Sequence, residues 1–147
     1  GLDWLIGLPE VDAASLAVAG SEAGLIAASM RSDAVKAVLV SGPLMLRVGS
    51  GRSSWPDYYP LEELNDYVRS HPDSIEKVSN TLSFFDPIKF APNYGGDALV
   101  AAPEWDKDVA TRLVTRLGES GELYLNTGRG HTDHVHTEKW LRERLTV

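Results

Sequence analysis

The sequence contains no cysteine, and this absence removes several kinds of chemistry. A chain without thiols forms no disulfide, offers no thiolate nucleophile and supplies no cysteine ligand for zinc. The chain begins Gly-Leu-Asp-Trp, without the basic and apolar segments of a signal peptide. Because the absence of cysteine fits a reducing compartment, we expect the protein to be cytoplasmic.

Long apolar runs and an excess of positive charge are also missing. No apolar stretch approaches the roughly 20 residues that a membrane-spanning helix needs. The 14 Lys and Arg residues are outnumbered by 21 Asp and Glu residues, which gives a formal net charge of −7. We therefore expect neither a nucleic acid nor a membrane as a partner. With 43% hydrophobic residues over 147 positions, the chain is typical of one globular domain, 1–147.

Four short apolar segments alternate with helical patterns. These segments are rich in valine, leucine and alanine, as strands buried on both faces of a sheet are. They lie at residues 16–19, 34–40, 98–102 and 123–126. Helical spacing follows at residues 25–30, 107–117 and 137–145. The alternation predicts an α/β fold in which a four-stranded parallel sheet is flanked by helices.

Residues 44–96 interrupt this alternation. Glycine, serine and proline mark a loop at the start, and helical spacing then appears at 61–69 and 73–82. The segment is too long for a plain crossover between two strands. We therefore predict a helical insertion at about 44–96, over the edge where the strands have their carboxyl ends. Ligands bind at that edge in open α/β sheets.

The first strand leads into the turn Gly20-Ser21-Glu22-Ala23-Gly24. This turn has the glycine frame of the nucleophile elbow G-x-S-x-G, but Glu22 occupies the central place and Ser21 stands one place early. A helix N-terminus favours a negative charge there. Glu22 and Ser21 are therefore candidate nucleophiles. The alternative is a tight turn whose small residues serve packing alone.

The third and fourth strands are each followed by further candidates. Asp106 follows the third strand, where a carboxylate can orient a histidine. The alternative is that Asp106, with Glu104 and Asp108, only caps a helix. His131 lies in a glycine-rich loop after the fourth strand. The order nucleophile, acid, histidine is that of the α/β-hydrolases.

The segment HTDHVH also suggests a metal site, since zinc accepts imidazole and carboxylate ligands. However, His134 and His136 lie near the start of a helix, and residues two apart do not share a helix face. We interpret His134 and His136 as surface or capping residues, and we expect no metal and no cofactor.

These residues resemble the acetyl xylan esterase and cephalosporin-C deacetylase family, over nearly the whole chain. The resemblance lies in LPEVD (8–12), the elbow, YYPLEELNDYVRSHPD (58–73), TLSFFDPIKFAP (81–92) and the surroundings of Asp106 and His131. It implies the C-terminal half of an α/β-hydrolase and a metal-independent serine esterase that deacetylates sugars, often as a hexamer. On this mapping Asp106 is the triad acid and His131 the base, while Glu22 replaces the serine.

The glutamate at the elbow leaves three alternatives open. Glu22 attacks directly as a carboxylate, Ser21 acts in a shifted frame, or the protein is an inactive hydrolase-fold subunit used for assembly or ligand binding. The aromatic residues Tyr58, Tyr59, Phe84 and Phe85 are candidates to shape a pocket, although we expect Phe84 and Phe85 to pack the insertion onto the sheet.

The first predicted strand lies at an edge of the sheet. The resemblance implies that further strands of the family's sheet lie outside this chain. Because soluble proteins seldom leave an apolar strand edge bare, we expect a second polypeptide, or an N-terminal half, to pair with residues 15–19.

Overall fold

The computed structural model describes residues 1–42, 55, 59–127 and 133–145 of the chain. Within these ranges the protein is built on one sheet of four parallel strands, in the order β1-β2-β3-β4. The strands are β1 (Ala17–Gly20), β2 (Ala37–Ser41), β3 (Asp97–Pro103) and β4 (Gly121–Asn126). Neighbours in sequence are therefore neighbours in the sheet, and the predicted four-stranded parallel sheet flanked by helices is confirmed.

Helices precede, separate and follow the strands. The α-helices are α1 (Leu2–Ile6), α2 (Glu22–Ser29), α3 (Glu62–Ser70), α4 (Ile75–Leu82), α5 (Pro87–Phe90), α6 (Lys107–Leu117) and α7 (His134–Leu145). Short 3₁₀ helices lie at Pro72–Ser74, Ser83–Phe85, Ala91–Asn93, Glu104–Asp106 and Gly118–Ser120. None of the helices in the described ranges is long and apolar enough to span a membrane.

Both faces of the two central strands are buried, because successive residues point to opposite sides of the sheet. On one face Val38 and Val100 pack with Leu25 of α2 and Leu113 of α6. On the other face the intervening residues pack against Trp140 of α7. Burial on both faces explains why β2 and β3 consist of continuous apolar residues rather than an alternating pattern.

The end of α7 is fixed to the amino-terminal ends of β3 and β4. The guanidinium of Arg144 lies 5.1 Å from the centre of the Trp140 ring, within the range of a cation–π contact. Arg144 also forms ion pairs with Asp97, at 3.2 Å, and with Glu122. These contacts lie at the end of the sheet where β3 and β4 begin.

Three element starts differ from the prediction by three residues, each for a local reason. The second strand begins at Ala37 rather than at residue 34, since residues 31–35 form turns in which the N–H groups of Ala34 and Val35 donate to the carbonyl of Arg31. Helix α2 begins at Glu22 and α7 at His134, each about one turn earlier than predicted. In both helices a polar residue just before the helix caps it, as described below.

The insertion between β2 and β3 has a small apolar core of its own. Trp55 and Leu61 are buried there, with Leu64, Val78 and Leu82 packed against them. The predicted loop at the start of the insertion, including Tyr58, falls at residues 43–54 and 56–58, outside the described ranges.

The expectation that Phe84 and Phe85 pack the insertion onto the sheet is wrong. The two rings are 74% and 54% exposed. They lie in the 3₁₀ helix that ends at Asp86, whose side chain accepts the N–H of Ile88 and starts α5. The chain turns into α5 at this cap, and both phenylalanines remain largely exposed.

Candidate functional site

Three of the four candidate residues, Ser21, Glu22 and Asp106, lie at the edge of the sheet formed by the carboxyl ends of the strands. The parallel strands end there at Gly20, Ser41, Pro103 and Asn126. Glu22 follows the end of β1, and Asp106 follows the end of β3. With parallel strands about 4.8 Å apart, two strand spacings separate the ends of β1 and β3 by about 10 Å. The structure therefore places Glu22 and Asp106 at one edge, whereas His131 falls outside the described residues.

Ser21 serves as the N-cap of α2. Its hydroxyl accepts a hydrogen bond from the N–H of Ala23 at 3.4 Å, and its carbonyl accepts one from Gly24 at 2.9 Å. Serine is a favoured N-cap residue because its oxygen satisfies an N–H that the helix leaves open. Ser21, one place before the centre of the turn, thus has a structural role as a helix cap.

Gly24 favours close packing and does not serve an unusual backbone conformation. A Cβ at this position would meet Cγ1 of Val18 at 3.0 Å, so the glycine lets α2 lie tightly against β1. No residue other than glycine has a positive φ in the described ranges. Glu22 therefore lacks the strained backbone of a nucleophile elbow.

Glu22 is the first residue of α2 and is only 1% exposed. A carboxylate is costly to bury unless other groups compensate its charge. The N-terminus of the helix provides one such compensation, because its N–H groups and the helix dipole favour a negative charge. The sequence thus directs a carboxylate into the interior at the edge of the sheet where ligands bind in this class of fold.

Asp106 is distinguished from its acidic neighbours by burial. It is 7% exposed, whereas Glu104 and Asp108 are exposed. Asp106 occupies the N-cap position of α6, yet its side chain makes no capping hydrogen bond. Helix capping therefore does not account for the burial of this carboxylate.

The two histidines of α7 lie on the surface. His134 and His136 are exposed, and the ring of His136 stacks on Tyr124. No cluster of three or more metal-ligand residues occurs within the described part of the chain, which does not include His131.

Tyr124 and Asp133 belong to the surroundings of the site but were missed by the sequence analysis. The Tyr124 hydroxyl donates to Oδ2 of Asp133 at 2.7 Å, and the N–H of His136 donates to Oδ1 at 3.1 Å. Asp133 thereby caps α7 and ties it to β4. The one sequence feature that could have indicated the role of Asp133 is its position just before a helical pattern, where an aspartate often caps the helix.

These hydrogen bonds move two pKa values in opposite directions. The Tyr124 hydroxyl and the His136 N–H both stabilise the charged carboxylate, so they lower the pKa of Asp133. The same bond to Asp133 raises the pKa of Tyr124, because the phenol is a donor only while it is protonated.

The lowered pKa of Asp133 predicts an acid-dependent loss of stability. The carboxylate stabilises the fold fully above its unfolded pKa of about 3.9, and this contribution disappears as the pH falls through the lower, folded pKa. Asp133→Asn is therefore expected to reduce the free energy of unfolding at pH 6. The difference in free energy of unfolding between the variant and the wild type, called the gap below, should become smaller below about pH 4. Urea denaturation across this pH range measures the gap. Asp108→Asn, at an exposed position in the first turn of α6, is the control, and an equal gap at every pH would contradict the prediction.

The fold is similar to that of two solved acetyl xylan esterases. The acetyl xylan esterase from Paenibacillus sp. R4 superimposes with a TM-score of 0.71 and 24% identity, over 97% of this chain and 48% of that one. Acetyl xylan esterase 1 from Thermoanaerobacterium sp. JW/SL YS485 has a TM-score of 0.72 and 16% identity, over 98% of this chain and 49% of that one. At these identities the likeness establishes the fold, and the chain spans about half the length of each structure.

Comparisons at the level of sequence give no match. No family model matches the chain. A search of curated proteins finds no match either.

Proposed function

We propose that the chain carries the reacting groups of a carboxylic ester hydrolase that acts on small acylated substrates such as acetylated sugars. The observation that supports this most strongly is the burial of two carboxylates, Glu22 and Asp106, at the ligand-binding edge of a sheet with the fold of acetyl xylan esterases. His131, after β4, completes the proposed set as the base.

In the first proposed step the Glu22 carboxylate attacks the acyl carbon of the ester. The bond from that carbon to the alcohol oxygen breaks, and the alcohol leaves with a proton from the His131 imidazolium. The product is a mixed anhydride between Glu22 and the acyl group. A carboxylate nucleophile needs no prior loss of a proton, unlike the serine of a serine esterase.

In the second proposed step neutral His131 takes a proton from water, which attacks the anhydride. The carboxylic acid is released, and the Glu22 carboxylate and the imidazolium are restored. Asp106 holds the imidazole in orientation and stabilises its charged form, as the acid of a catalytic triad does. No metal or cofactor enters either step.

Hydrolysis of p-nitrophenyl acetate and of an acetylated xylose tests this function. The purified chain is expected to release acetate above the rate in buffer, and a chelator should leave that rate unchanged. An exposed-site variant, Glu138→Gln in α7, should behave as the wild type does. Acetate release no faster than in buffer would contradict the proposal.

The second candidate function is a non-catalytic subunit that keeps the hydrolase fold for assembly or ligand binding. The turn from Gly20 to Gly24 favours it, because Ser21 is engaged as a helix cap and Glu22 lacks the strained elbow backbone. Under this alternative the wild type is inactive and Glu22→Ser gains activity, whereas under the first function the substitution removes the nucleophile.

The proposed partner is a polypeptide that adds a strand beside β1. In the described part of the chain β1 pairs with β2 alone, and Ala19 and Gly20 are exposed. The carbonyl of Leu16 accepts the N–H of Lys36, so the backbone groups of Ala17 and Ala19 face the open side. An open apolar edge of this kind favours pairing with another chain.

Hydrogen exchange of the β1 amides tests the open edge. In the monomeric chain the N–H of Ala19 should exchange much faster than that of Val18, which faces β2. Ala19→Pro removes only an outward N–H and should leave the stability of the monomer nearly unchanged. Equal protection of Ala19 and Val18 in a monomer would contradict the partner, because the chain would then cover its own edge.

A further inference from the structure

We infer that β1 and one flank of α7 form a continuous docking surface for an α/β segment of another polypeptide. That segment adds a strand beside β1 and packs a helix against α7. The inference rests on the proposed function in one respect, which is that a partner strand pairs with β1. It goes beyond that pairing, because it assigns a second contact surface and the kind of element that covers it.

The two faces of β1 differ in how they are covered. Val18 packs into the apolar core on the face of the sheet that carries α2. Ala17 and Ala19 point to the opposite face, because their register partners on β2 pack under α7. Ala17 is half-buried there and Ala19 is exposed. One face of β1 is thus covered by a helix, while the other carries two small side chains that are still open to solvent.

α7 presents an apolar flank toward this open face. Its other flank faces β4, where the ring of His136 stacks on Tyr124. At about 100° per residue, Leu141 and Leu145 lie about 140° and 180° around the helix from His136. Since β1 and β4 are at opposite edges of the sheet, these two leucines face the β1 side.

The flank of α7 and the open face of β1 enclose a groove. A cavity of about 370 Å³ runs along this flank, and its lining consists of Glu138, Leu141, Arg142 and Leu145. Leu141 packs into the same apolar cluster as Ala17, so the groove continues from the helix onto the strand. We call the space bounded by Leu141, Leu145 and Ala17 the α7 groove. Both leucines are only half-buried, and covering them would remove apolar surface from water.

The spacing of the sheet and its helices fits one further helix in the α7 groove. Trp140 of α7 packs in one cluster with Leu39 of β2 and Leu99 of β3, so α7 lies over these two strands. Helices that pack side by side are about 8–10 Å apart, which is about two strand spacings of 4.8 Å. A helix beside α7 would therefore lie over β1 and over a strand added next to it. One strand and one helix complete this side of the sheet together.

A second copy of this chain would leave the α7 groove open. Two copies paired through β1 about a twofold axis would each place α7 about two strand spacings from that axis. The two helices would then lie about 20 Å apart, twice the distance at which helices pack. In both similar structures the match covers 48% and 49% of the chain, so the fold occurs there together with as much further polypeptide. We therefore assign the groove to a different segment rather than to a second copy.

The chemistry of the groove defines the helix that fits it. Ala17 and Ala19 are small, so large apolar side chains are needed above them to reach the packing density of a protein interior. Glu138 is exposed at the rim, where it favours a Lys or Arg on the arriving helix. The partner is therefore an apolar strand joined to an amphipathic helix, with a positive charge that faces Glu138.

Photo-cross-linking from the α7 groove tests the inference. The chain carries p-benzoylphenylalanine in place of Leu145 and is expressed in its organism of origin, and the cross-linked peptides are identified by mass spectrometry. We expect one polypeptide to be captured through a segment with helical apolar spacing that adjoins a strand-like apolar run. The same probe in place of Lys139, which is exposed on α7, is the control and should lose this product.

Ala19→Pro, combined with the probe in place of Leu145, tests whether the strand and the groove take the same partner. The proline removes the outward N–H that the added strand would use, and it leaves the groove intact. An unsatisfied group in a buried contact costs about 1–3 kcal/mol, so we expect the yield of the cross-linked product to fall about tenfold. Urea denaturation of Ala19→Pro should show that the chain stays folded.

The outcomes separate the groove from the partner strand. A cross-link from Leu145 to a second copy of this chain, to a segment without an adjoining strand, or to nothing would overturn the inference. An unchanged yield in Ala19→Pro would overturn it as well, because the groove would then be filled independently of β1. Hydrogen exchange of Ala19 tests the partner strand by itself, so the groove can fail while the strand partner stands.

Discussion

His131→Ala is expected to lower kcat for p-nitrophenyl acetate by about 1,000-fold, while the chain stays folded. Removal of a positioned general acid and base typically costs 100- to 10,000-fold, about 3 to 5 kcal/mol in the transition state. In the proposed reaction the imidazole acts twice, first giving a proton to the leaving alcohol and then taking one from water. The loss should therefore appear mainly in kcat rather than in KM.

His134→Ala is the matched control for this variant. His134 is exposed at the start of α7, three residues further along the chain. Its removal should leave kcat within about twofold of wild type, as is usual for a side chain that takes no part in the transition state. Equal rates for wild type and His131→Ala would remove His131 from the mechanism.

Glu22→Gln is expected to abolish turnover, with a fall in kcat of about 1,000-fold or more. The amide keeps the shape of the side chain but is a poor nucleophile. Only the residual catalysis by the other proposed groups, His131 and Asp106, would then remain. Because Glu22 is buried, circular dichroism and urea denaturation should accompany the kinetics. Glu138→Gln, at an exposed position of α7, controls for a generic loss of negative charge.

Trapping of the intermediate separates a nucleophilic Glu22 from one that only assists water. Rapid acid quench of a single turnover should leave one acetyl group on the chain, and peptide mass spectrometry should place it on Glu22. An acetyl group on Ser21 would instead favour the shifted frame. Turnover without any acylated chain would contradict the nucleophilic role of Glu22.

The strands were predictable because a strand that is buried on both faces appears in the sequence as a short run of apolar residues. Val38 and Leu39 face opposite sides of the sheet and are both buried. The starts of α2 and α7 were less predictable, since they depend on the cap residues Ser21 and Asp133 rather than on apolar spacing.

The site was predictable only in part, because the burial of a side chain and the sheet face that it occupies depend on the three-dimensional structure. In the acidic group after β3 the sequence does not distinguish Asp106 from Glu104 or Asp108, and only the structure separates the buried carboxylate from the exposed ones. The pairing of Tyr124 with Asp133 joins residues nine positions apart. It depends on which face of β4 the tyrosine occupies and on where α7 begins, and neither follows from the local pattern.

The proposed function requires that the turns after β1, β3 and β4 form one reacting site. A crystal structure of the chain in which the imidazole of residue 131 is resolved tests this arrangement. We expect one ring nitrogen within about 2.6–3.2 Å of the Asp106 carboxylate, with the other ring nitrogen facing the side chain of Glu22. A ring that points away from both carboxylates, with an ordered loop around it, would rule out such a site.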